Sequence, residues 1–269
     1  MYEKKISRAQ PGLIVFVLDD SGSMAENLPG TSDPKFKWVE RLFGVILKEL
    51  LARSTELKGD TAQIKPRYFV YIIIYGSYPQ VWGTGEMDIQ AAVEKYANDG
   101  NSLGLGGKLD GTDSATAFQM AYDYLKEAIK AERFCKSFPP MLWHLSDGMS
   151  ATDATPIADL IKQLATEDGN LLIVNAYIGI QTDLKYKGPE DFPGYVDISD
   201  VGADEDNMRL FNMSSEAPAC IRKNLIDDGI FPNIREKSHL FFDVRSKDTL
   251  KHALQTVGSI GSRADRTAR

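Results

Sequence analysis

The sequence predicts an α/β protein with a doubly wound, mainly parallel central sheet and helices on both faces. Short apolar runs alternate along the chain with helical periodicities, which is the order found in parallel sheets that are covered on both sides. The first apolar run, 13–18 (LIVFVL), contains no polar position. A strand of this kind is buried on both faces, so it belongs in the interior of the sheet.

The remaining elements follow from the same two patterns. Apolar, β-branched or aromatic runs predict further strands at 68–75, 141–145, 171–180 and 240–244. Apolar side chains at intervals of three and four residues predict helices at about 36–50, 118–132, 157–164, 218–228 and 250–257, with a short helix at 87–98. Asp33 and Pro34 suit the start of the first helix.

The chain is expected to form one domain over 12–258, with an N-terminal extension at 1–11 and a disordered polar tail at 259–269. The segment 181–213 shows no sustained period of either kind. It combines acidic residues with Gly-Pro and Pro-Gly pairs. We therefore expect it to be an insertion on the domain surface, away from the sheet core.

Composition excludes several classes of function. The net charge is -7 and no long run of Lys or Arg is present, so nucleic acid is not expected as a partner. Cys135 and Cys220 lie far apart without zinc or disulfide spacing, which predicts two reduced packing residues. The polar N-terminus and the lack of an apolar run near about 20 residues predict a cytoplasmic protein without a membrane partner.

Three oxygen-bearing side chains directly follow the first buried strand. Asp19, Ser21 and Ser23 belong to the sequence Asp-Asp-Ser-Gly-Ser, and their alternate spacing allows them to converge where the chain turns over the strand end. The carboxyl ends of strands are where open parallel sheets bind ligands. Hard oxygen ligands of this kind suit magnesium, calcium or manganese rather than zinc.

This DxSxS pattern resembles the first motif of the metal-ion-dependent adhesion site of von Willebrand factor type A domains. The family's second motif, a Thr in a loop that opens a helix, matches Thr112, and its third, an Asp-Gly pair after a mid-sheet strand, matches Asp147. The motifs occur in the family's order, and the resemblance spans about 12–257. The alternative is a set of unrelated turn and cap residues, since Asp and Ser favour turns.

The resemblance implies one divalent cation, Mg²⁺ with Ca²⁺ or Mn²⁺ as alternatives. Its ligands would be Ser21, Ser23 and either Thr112 or Asp147, with Asp19 and the remaining group bound directly or through water. Two carboxylates, at least one of them behind water, under-neutralise such an ion, so an open position attracts an acidic side chain from a partner. The sequence offers no general base for the site, and we predict a non-enzymatic protein-binding module.

Two features depart from the family pattern. Asp20 occupies a position that is more often small, apolar or Thr; it either points at the ion and weakens the demand for an acidic ligand, or faces away in the turn. We expect it to face away. The connection over 25–34 into the first helix is also longer than usual and extends the rim of the site.

Other candidate residues receive structural assignments. His144 lies between Trp143 and Leu145 in a predicted strand, so we expect a buried structural histidine. His239 and His252 have no Cys or carboxylate at metal-ligand spacing. The glycine-rich loop 100–111 lacks the glycine spacing and the Ser or Thr of a phosphate-binding loop.

The chain resembles stand-alone bacterial A domains, including the tellurite-resistance-linked group that accompanies protein kinases and metal-dependent phosphatases. This implies a bacterial protein whose partner is a kinase or phosphatase of the same system. An adaptor that delivers substrates to an AAA ATPase would use the same site. The segment 16–19 also resembles the first motif of haloacid-dehalogenase phosphohydrolases, but that family needs a second Asp where this chain has Ser21.

Overall fold

A computed structural model describes residues 1–28, 31–59, 61–148, 150–178, 190–202, 204–244, 251–253 and 255–256. Within these ranges the strands are β1 (Gly12–Asp19), β2 (Thr55–Lys58), β3 (Thr61–Ile64), β4 (Tyr68–Tyr75), β5 (Pro79–Val81), β6 (Met87–Asp88), β7 (Met141–Ser146), β8 (Ala165–Thr166), β9 (Gly169–Asn170), β10 (Leu172–Tyr177) and β11 (Phe241–Asp243). The helices are α1 (Lys35–Arg53), α2 (Ile89–Asn98), α3 (Ser114–Ala128), α4 (Glu132–Cys135), α5 (Thr155–Gln163), α6 (Glu205–Met213) and α7 (Ala219–Asp227).

Seven of the described strands form one sheet in the order β11-β10-β7-β1-β4-β5, with β6 paired to β4. The five strands β11, β10, β7, β1 and β4 run parallel, whereas β5 and β6 are short antiparallel additions at the edge. The predicted fold class is confirmed. Because the chain winds from β1 to one side through β4 and then returns to β7 on the other, the crevice beside β1 is the topological switch point of the sheet, where ligands bind in open α/β folds.

β1 is the central strand, and all eight of its residues are buried. Its neighbours β4 and β7 pair with it in register, so that Leu18 lies opposite both Ile74 and Leu145. This alignment brings the carboxyl ends of the three strands to one edge of the sheet. The predicted interior position of 13–18 is confirmed, and the residues that follow these strands are brought together.

Helices cover both faces of the sheet. On one face, Phe16 of β1 meets Phe43 of α1 in an edge contact with ring centroids 4.9 Å apart. On the other, Phe118 of α3 meets His144 of β7 at 5.0 Å. Aromatic pairs in this geometry stabilise the packing beyond the area that they bury.

The expected position of 181–213 on the surface, away from the sheet core, is wrong for its described residues: Phe192 and Tyr195 are buried and pack against aromatic rings of β11. Residues 205–213 form α6, which contacts β10 and α5, and Phe211 packs against Phe241 of β11. The sequence pattern concealed this helix because its buried face includes the polar Asn207 and its first turn is acidic. Acidic residues favour a helix N-terminus, where the side chain of Asp204 accepts the backbone N–H of Asn207. Residues 179–189 lie outside the described ranges.

The chain ends differ from the prediction in one respect. The N-terminal extension is anchored to the domain, since Ile6 is buried and the backbone N–H groups of Glu3 and Lys4 donate to the Asp168 carboxylate. The predicted tail at 259–269 lies outside the described residues, whereas residues 251–253 and 255–256 of the predicted last helix are described and helical. No helix in the described ranges is both long and apolar enough to cross a membrane.

Candidate metal centre

The first motif forms a tight turn at the carboxyl end of β1. The Asp19 carboxylate accepts the backbone N–H of Ser21 at 2.9 Å, and a short 3₁₀ helix over Gly22–Ala25 reverses the chain. The hydroxyl oxygens of Ser21 and Ser23 lie 3.1 Å apart. The turn therefore gathers a carboxylate and two hydroxyls within a few residues, as the period-two spacing predicted.

Asp19 is a buried carboxylate with little compensating charge. The side chain of Ser146, at the end of β7, donates to Asp19 Oδ2 at 2.7 Å, and Tyr75 Oη lies 3.5 Å from the same oxygen. Burial raises the pKa of Asp19 to about 6, and the charge of Asp147 adds to this rise, while hydrogen bonds from Ser21 and Ser146 oppose it. A positive charge placed here would be strongly stabilised.

Asp147 follows β7 and reaches the same edge of the sheet. Its residue surface is only 4% exposed. Oδ2 accepts a hydrogen bond from Lys35 Nζ at 3.1 Å, whereas Oδ1 is buried and has no hydrogen-bond partner in the part of the chain that the structure describes. A buried carboxylate oxygen without a partner is costly unless a cation or a donor completes it.

Lys35 is a component of the site that the sequence pattern did not reveal. It is the first residue of α1, and its side chain is 8% exposed. Its ammonium group contacts Asp147 Oδ2, Glu26 Oε2 at 3.2 Å and the backbone oxygen of Ser23 at 3.4 Å. A lysine at a helix start ordinarily indicates a solvated position, but here the ammonium group is held by Ser23, Glu26 and Asp147.

Thr112 lies in the loop that opens α3, next to the N-cap Asp113. The carbonyl oxygen of Thr112 accepts the backbone N–H of Ala151 at 3.0 Å. This hydrogen bond connects the loop before α3 to the loop that follows Asp147. The structure shows no hydrogen bond from the Thr112 hydroxyl to Asp19, Ser21 or Ser23. The second motif is thus linked to the loop after the third through the Thr112 carbonyl oxygen, which also accepts the Ser150 hydroxyl at 3.3 Å.

Asp20 points away from the other site residues, as expected from the sequence. Its Oδ1 accepts the backbone N–H groups of Gly106 and Gly107 at 2.7 Å and 2.6 Å. Gly107 has φ of +59° and packs so closely on the first motif that a Cβ there would lie 2.6 Å from the backbone nitrogen of Ala25. Asp20 therefore anchors the glycine-rich loop against the turn that carries Ser21 and Ser23.

A series of buried hydrogen bonds joins Tyr75, His144 and Asn175 in the sheet next to Asp19. Asn175 donates through Nδ2 to Leu210 O and Ser214 Oγ, so its Oδ1 faces His144 Nδ1 at 2.8 Å as an acceptor. His144 is then protonated on Nδ1 and accepts the Tyr75 hydroxyl at Nε2, 2.7 Å away. Burial lowers the pKa of His144 to about 4, so the ring is neutral. The predicted structural role of His144 is confirmed.

The donors of this site fit a hard divalent cation. They comprise two carboxylates, one with a buried oxygen lacking a partner, together with the hydroxyls of Ser21, Ser23 and Thr112. Within the described ranges no three His, Cys, Asp or Glu side chains are grouped as metal ligands. A cation bound here would thus depend on hydroxyl oxygens, which suit Mg²⁺, Ca²⁺ or Mn²⁺ and not the softer transition metals.

Comparison of the sequence with family models and with curated proteins finds no match. Solved structures do match. The pilus adhesin SpaC from Lactobacillus rhamnosus GG aligns with a TM-score of 0.58 and 13% identity over 97% of this chain and 32% of its own length. A von Willebrand factor type A protein from Catenulispora acidiphila gives 0.52 and 13% over 94% and 43%.

BatB from Bacteroides thetaiotaomicron aligns over 93% of this chain and 98% of its own length, with a TM-score of 0.50 and 13% identity. At this level of identity the likeness establishes the fold alone. The chain has the fold of von Willebrand factor type A domains, and its candidate metal centre lies at the carboxyl edge of that fold's central sheet.

Proposed function

We propose that this protein is a non-enzymatic binding module in which Asp19, Ser21, Ser23, Thr112 and Asp147 hold one divalent cation that captures an acidic group of a partner protein. The observation that supports this most directly is the buried Oδ1 of Asp147, which has no hydrogen-bond partner among the described residues, together with the buried carboxylate of Asp19 and the paired hydroxyls of Ser21 and Ser23. Mg²⁺ is the expected ion, with Ca²⁺ or Mn²⁺ as alternatives.

The five proposed ligands would contribute differently to the site. Asp19 and Asp147 supply the negative charge, and the serine and threonine hydroxyls supply neutral oxygens, so the bound cation would remain under-neutralised. Asp19 and Ser21 are buried, whereas Gly22 is exposed and Ser23 is half-buried, so the first motif meets solvent on the side of Gly22 and Ser23. A carboxylate from a protruding loop of a partner has access from this side.

The surroundings of the site favour binding over catalysis. His144 is the nearest imidazole in the described sheet, but it is fully enclosed beneath the strand ends and both of its nitrogens are engaged, by Tyr75 and Asn175. It has no route to a substrate and cannot act as a general base. We propose that the natural partner is a protein, such as a kinase or phosphatase of the same cellular system.

The experiment is capture of partner proteins from cells by the full chain in Mg²⁺, compared with capture in chelator and by Asp19→Asn. Asp123→Asn is the matched control, because Asp123 is an exposed carboxylate on α3. Proteins retained by wild type and Asp123→Asn, and lost both in chelator and with Asp19→Asn, support the proposal. If Asp19→Asn retains the same proteins as wild type, the partner does not bind through this site.

A further inference from the structure

A buried ammonium group lies inside the candidate metal centre. Lys35 contacts the first motif through the carbonyl oxygen of Ser23 and the third motif through Asp147 Oδ2. Its side chain is only 8% exposed, so its charge is poorly screened by solvent. Lys35 belongs to none of the three motifs, so the motifs do not explain why an ammonium group is buried here.

The two carboxylate oxygens of Asp147 have different surroundings. Oδ2 is bound by Lys35, and Oδ1 is left buried without a described partner. Lys35 thus holds the carboxylate in one orientation, with one oxygen committed to the ammonium and the other available to a cation or its bound water. The two cations would share one carboxylate.

Lys35 also changes the charge of the site. Asp19 and Asp147 together carry two negative charges, so without Lys35 an occupied site would keep only the small positive excess left by a carboxylate that binds through water. The ammonium of Lys35 adds one positive charge, so the occupied site keeps one net positive charge. Glu26, which contacts the Lys35 ammonium at 3.2 Å, has a side chain that is 71% exposed, so its charge offsets that of Lys35 only in part.

We propose that Lys35 determines the specificity of this site: it weakens binding of the cation alone and strengthens binding of an external carboxylate to the occupied site. This inference rests on the proposed metal site. It predicts opposite effects of removing the Lys35 charge. Cation binding becomes stronger because a like charge is removed, and carboxylate binding becomes weaker because the occupied site then carries one positive charge less. Loss of a merely structural residue would weaken both.

The size of the effect follows from Coulomb's law. A monovalent and a divalent cation about 5 Å apart in a water-like dielectric repel enough to change an affinity roughly tenfold, and partial burial increases this. Lys35→Gln keeps a hydrogen-bond donor for Asp147 but removes the charge, and Lys35→Arg keeps the charge. Lys108→Gln is the matched control, since Lys108 is an exposed lysine in the glycine-rich loop that Asp20 anchors.

The experiment titrates the full chain with Mn²⁺ by calorimetry. It then titrates the Mn²⁺-loaded protein with acetate, using water proton relaxation, with acetamide as the neutral probe. Lys35→Gln is expected to bind Mn²⁺ about tenfold more tightly and acetate several-fold more weakly than wild type. Lys35→Arg and Lys108→Gln are expected to match wild type. Glu26→Gln, which removes a negative charge from the Lys35 ammonium, is expected to weaken Mn²⁺ binding and tests the same account if Lys35→Gln does not fold.

Two results overturn the inference, and they are distinguishable. If wild type binds Mn²⁺ and neither Lys35→Gln nor Glu26→Gln shifts its affinity in the stated direction, Lys35 has no such role while the proposed metal site stands. If wild type binds no Mn²⁺, the proposed function fails and the inference fails with it.

Discussion

Ser146 Oγ donates a hydrogen bond of 2.7 Å to Asp19 Oδ2, and this bond joins the carboxyl ends of β7 and β1. The same hydroxyl oxygen accepts the backbone N–H of Gly148 at 3.0 Å. One side chain therefore fixes both the buried carboxylate of the first motif and the turn that presents Asp147. The two acidic ligands of the proposed site are held by a single serine.

The first prediction concerns this serine. Ser146→Ala removes a donor from a buried carboxylate, so the free energy of unfolding should fall by about 1–2 kcal/mol. The divalent-cation affinity should fall several-fold, because both acidic ligands lose their support. Chemical unfolding and calorimetry measure the two effects. Ser137→Ala is the control: Ser137 is equally buried and bonds to the carbonyls of Gln10 and Pro11 near the other end of β1.

Ser137→Ala should lower the stability to a similar extent and leave the cation affinity unchanged. Equal losses of cation affinity in both variants would mean that the effect of Ser146→Ala is a general loss of stability.

The two acidic ligands should respond oppositely to neutralisation in the absence of metal. Burial raises the pKa of Asp19 to about 6, so at pH 7.5 its ionised form is a cost to the folded state, and Asp19→Asn should raise the free energy of unfolding by about 1 kcal/mol. Asp147→Asn instead deprives the buried Lys35 ammonium of a partner and should lower it by about 2 kcal/mol.

Urea unfolding of both variants in chelator measures this difference. Both variants should lose the stabilisation by Mg²⁺ that wild type shows, since a ligand of the folded state stabilises by mass action. A change of the same sign for the two variants in chelator would contradict the charge arrangement described here.

A pH dependence is expected from His144. Burial lowers its pKa in the folded protein to about 4, while the unfolded chain has the ordinary value near 6.5. Between these values the unfolded state binds the extra proton, so stability falls as the pH drops from about 6.5 to 4, by roughly 3 kcal/mol in total. Asp19 acts in the opposite direction, since its raised pKa makes the metal-free folded state bind a proton as the pH falls through about 6.

Comparison of wild type with His144→Gln in chelator isolates the histidine, because the contribution of Asp19 is common to both proteins. The stability of wild type should fall more steeply than that of the variant between pH 6.5 and 4. Parallel curves would mean that His144 is not buried in a neutral form.

Asp20 should control the order of the glycine-rich loop. Asp20→Ala leaves the N–H groups of Gly106 and Gly107 without their acceptor, so amide hydrogen exchange at these two residues should accelerate at least about tenfold. Glu40→Gln is a matched variant, because Glu40 accepts the N–H groups of Leu103 and Leu105 in the same loop. It should accelerate exchange mainly at those positions. Uniform acceleration in both variants would show that the loop opens as one unit.

The sequence predicted the parts of the site that depend on strand ends. Asp19 ends the buried strand β1 and Asp147 follows the buried strand β7, and parallel strands in register bring their carboxyl ends to one edge. Lys35 could not be found in this way, because its burial depends on contacts with Ser23, Glu26 and the sequence-distant Asp147 and not on a local pattern.

The β2–β3 hairpin and α6 were not predicted from the sequence, for different reasons. The residues of β3 are all exposed, so the β2–β3 hairpin has no apolar alternation to reveal it. α6 has the buried face of a helix, but Asn207 interrupts that face and the acidic residues of its first turn resemble a solvated loop.

The central claim is a divalent cation held in part by hydroxyl oxygens, and calorimetric titration of the full chain with Mg²⁺ tests it most directly. The Ser21→Ala/Ser23→Ala double variant removes only the two hydroxyls that lie 3.1 Å apart, and leaves both carboxylates in place. The account predicts one Mg²⁺ per wild-type chain and a loss of affinity of at least about a hundredfold in the double variant, from two lost ligands. No binding to wild type, or equal binding to both proteins, would contradict it.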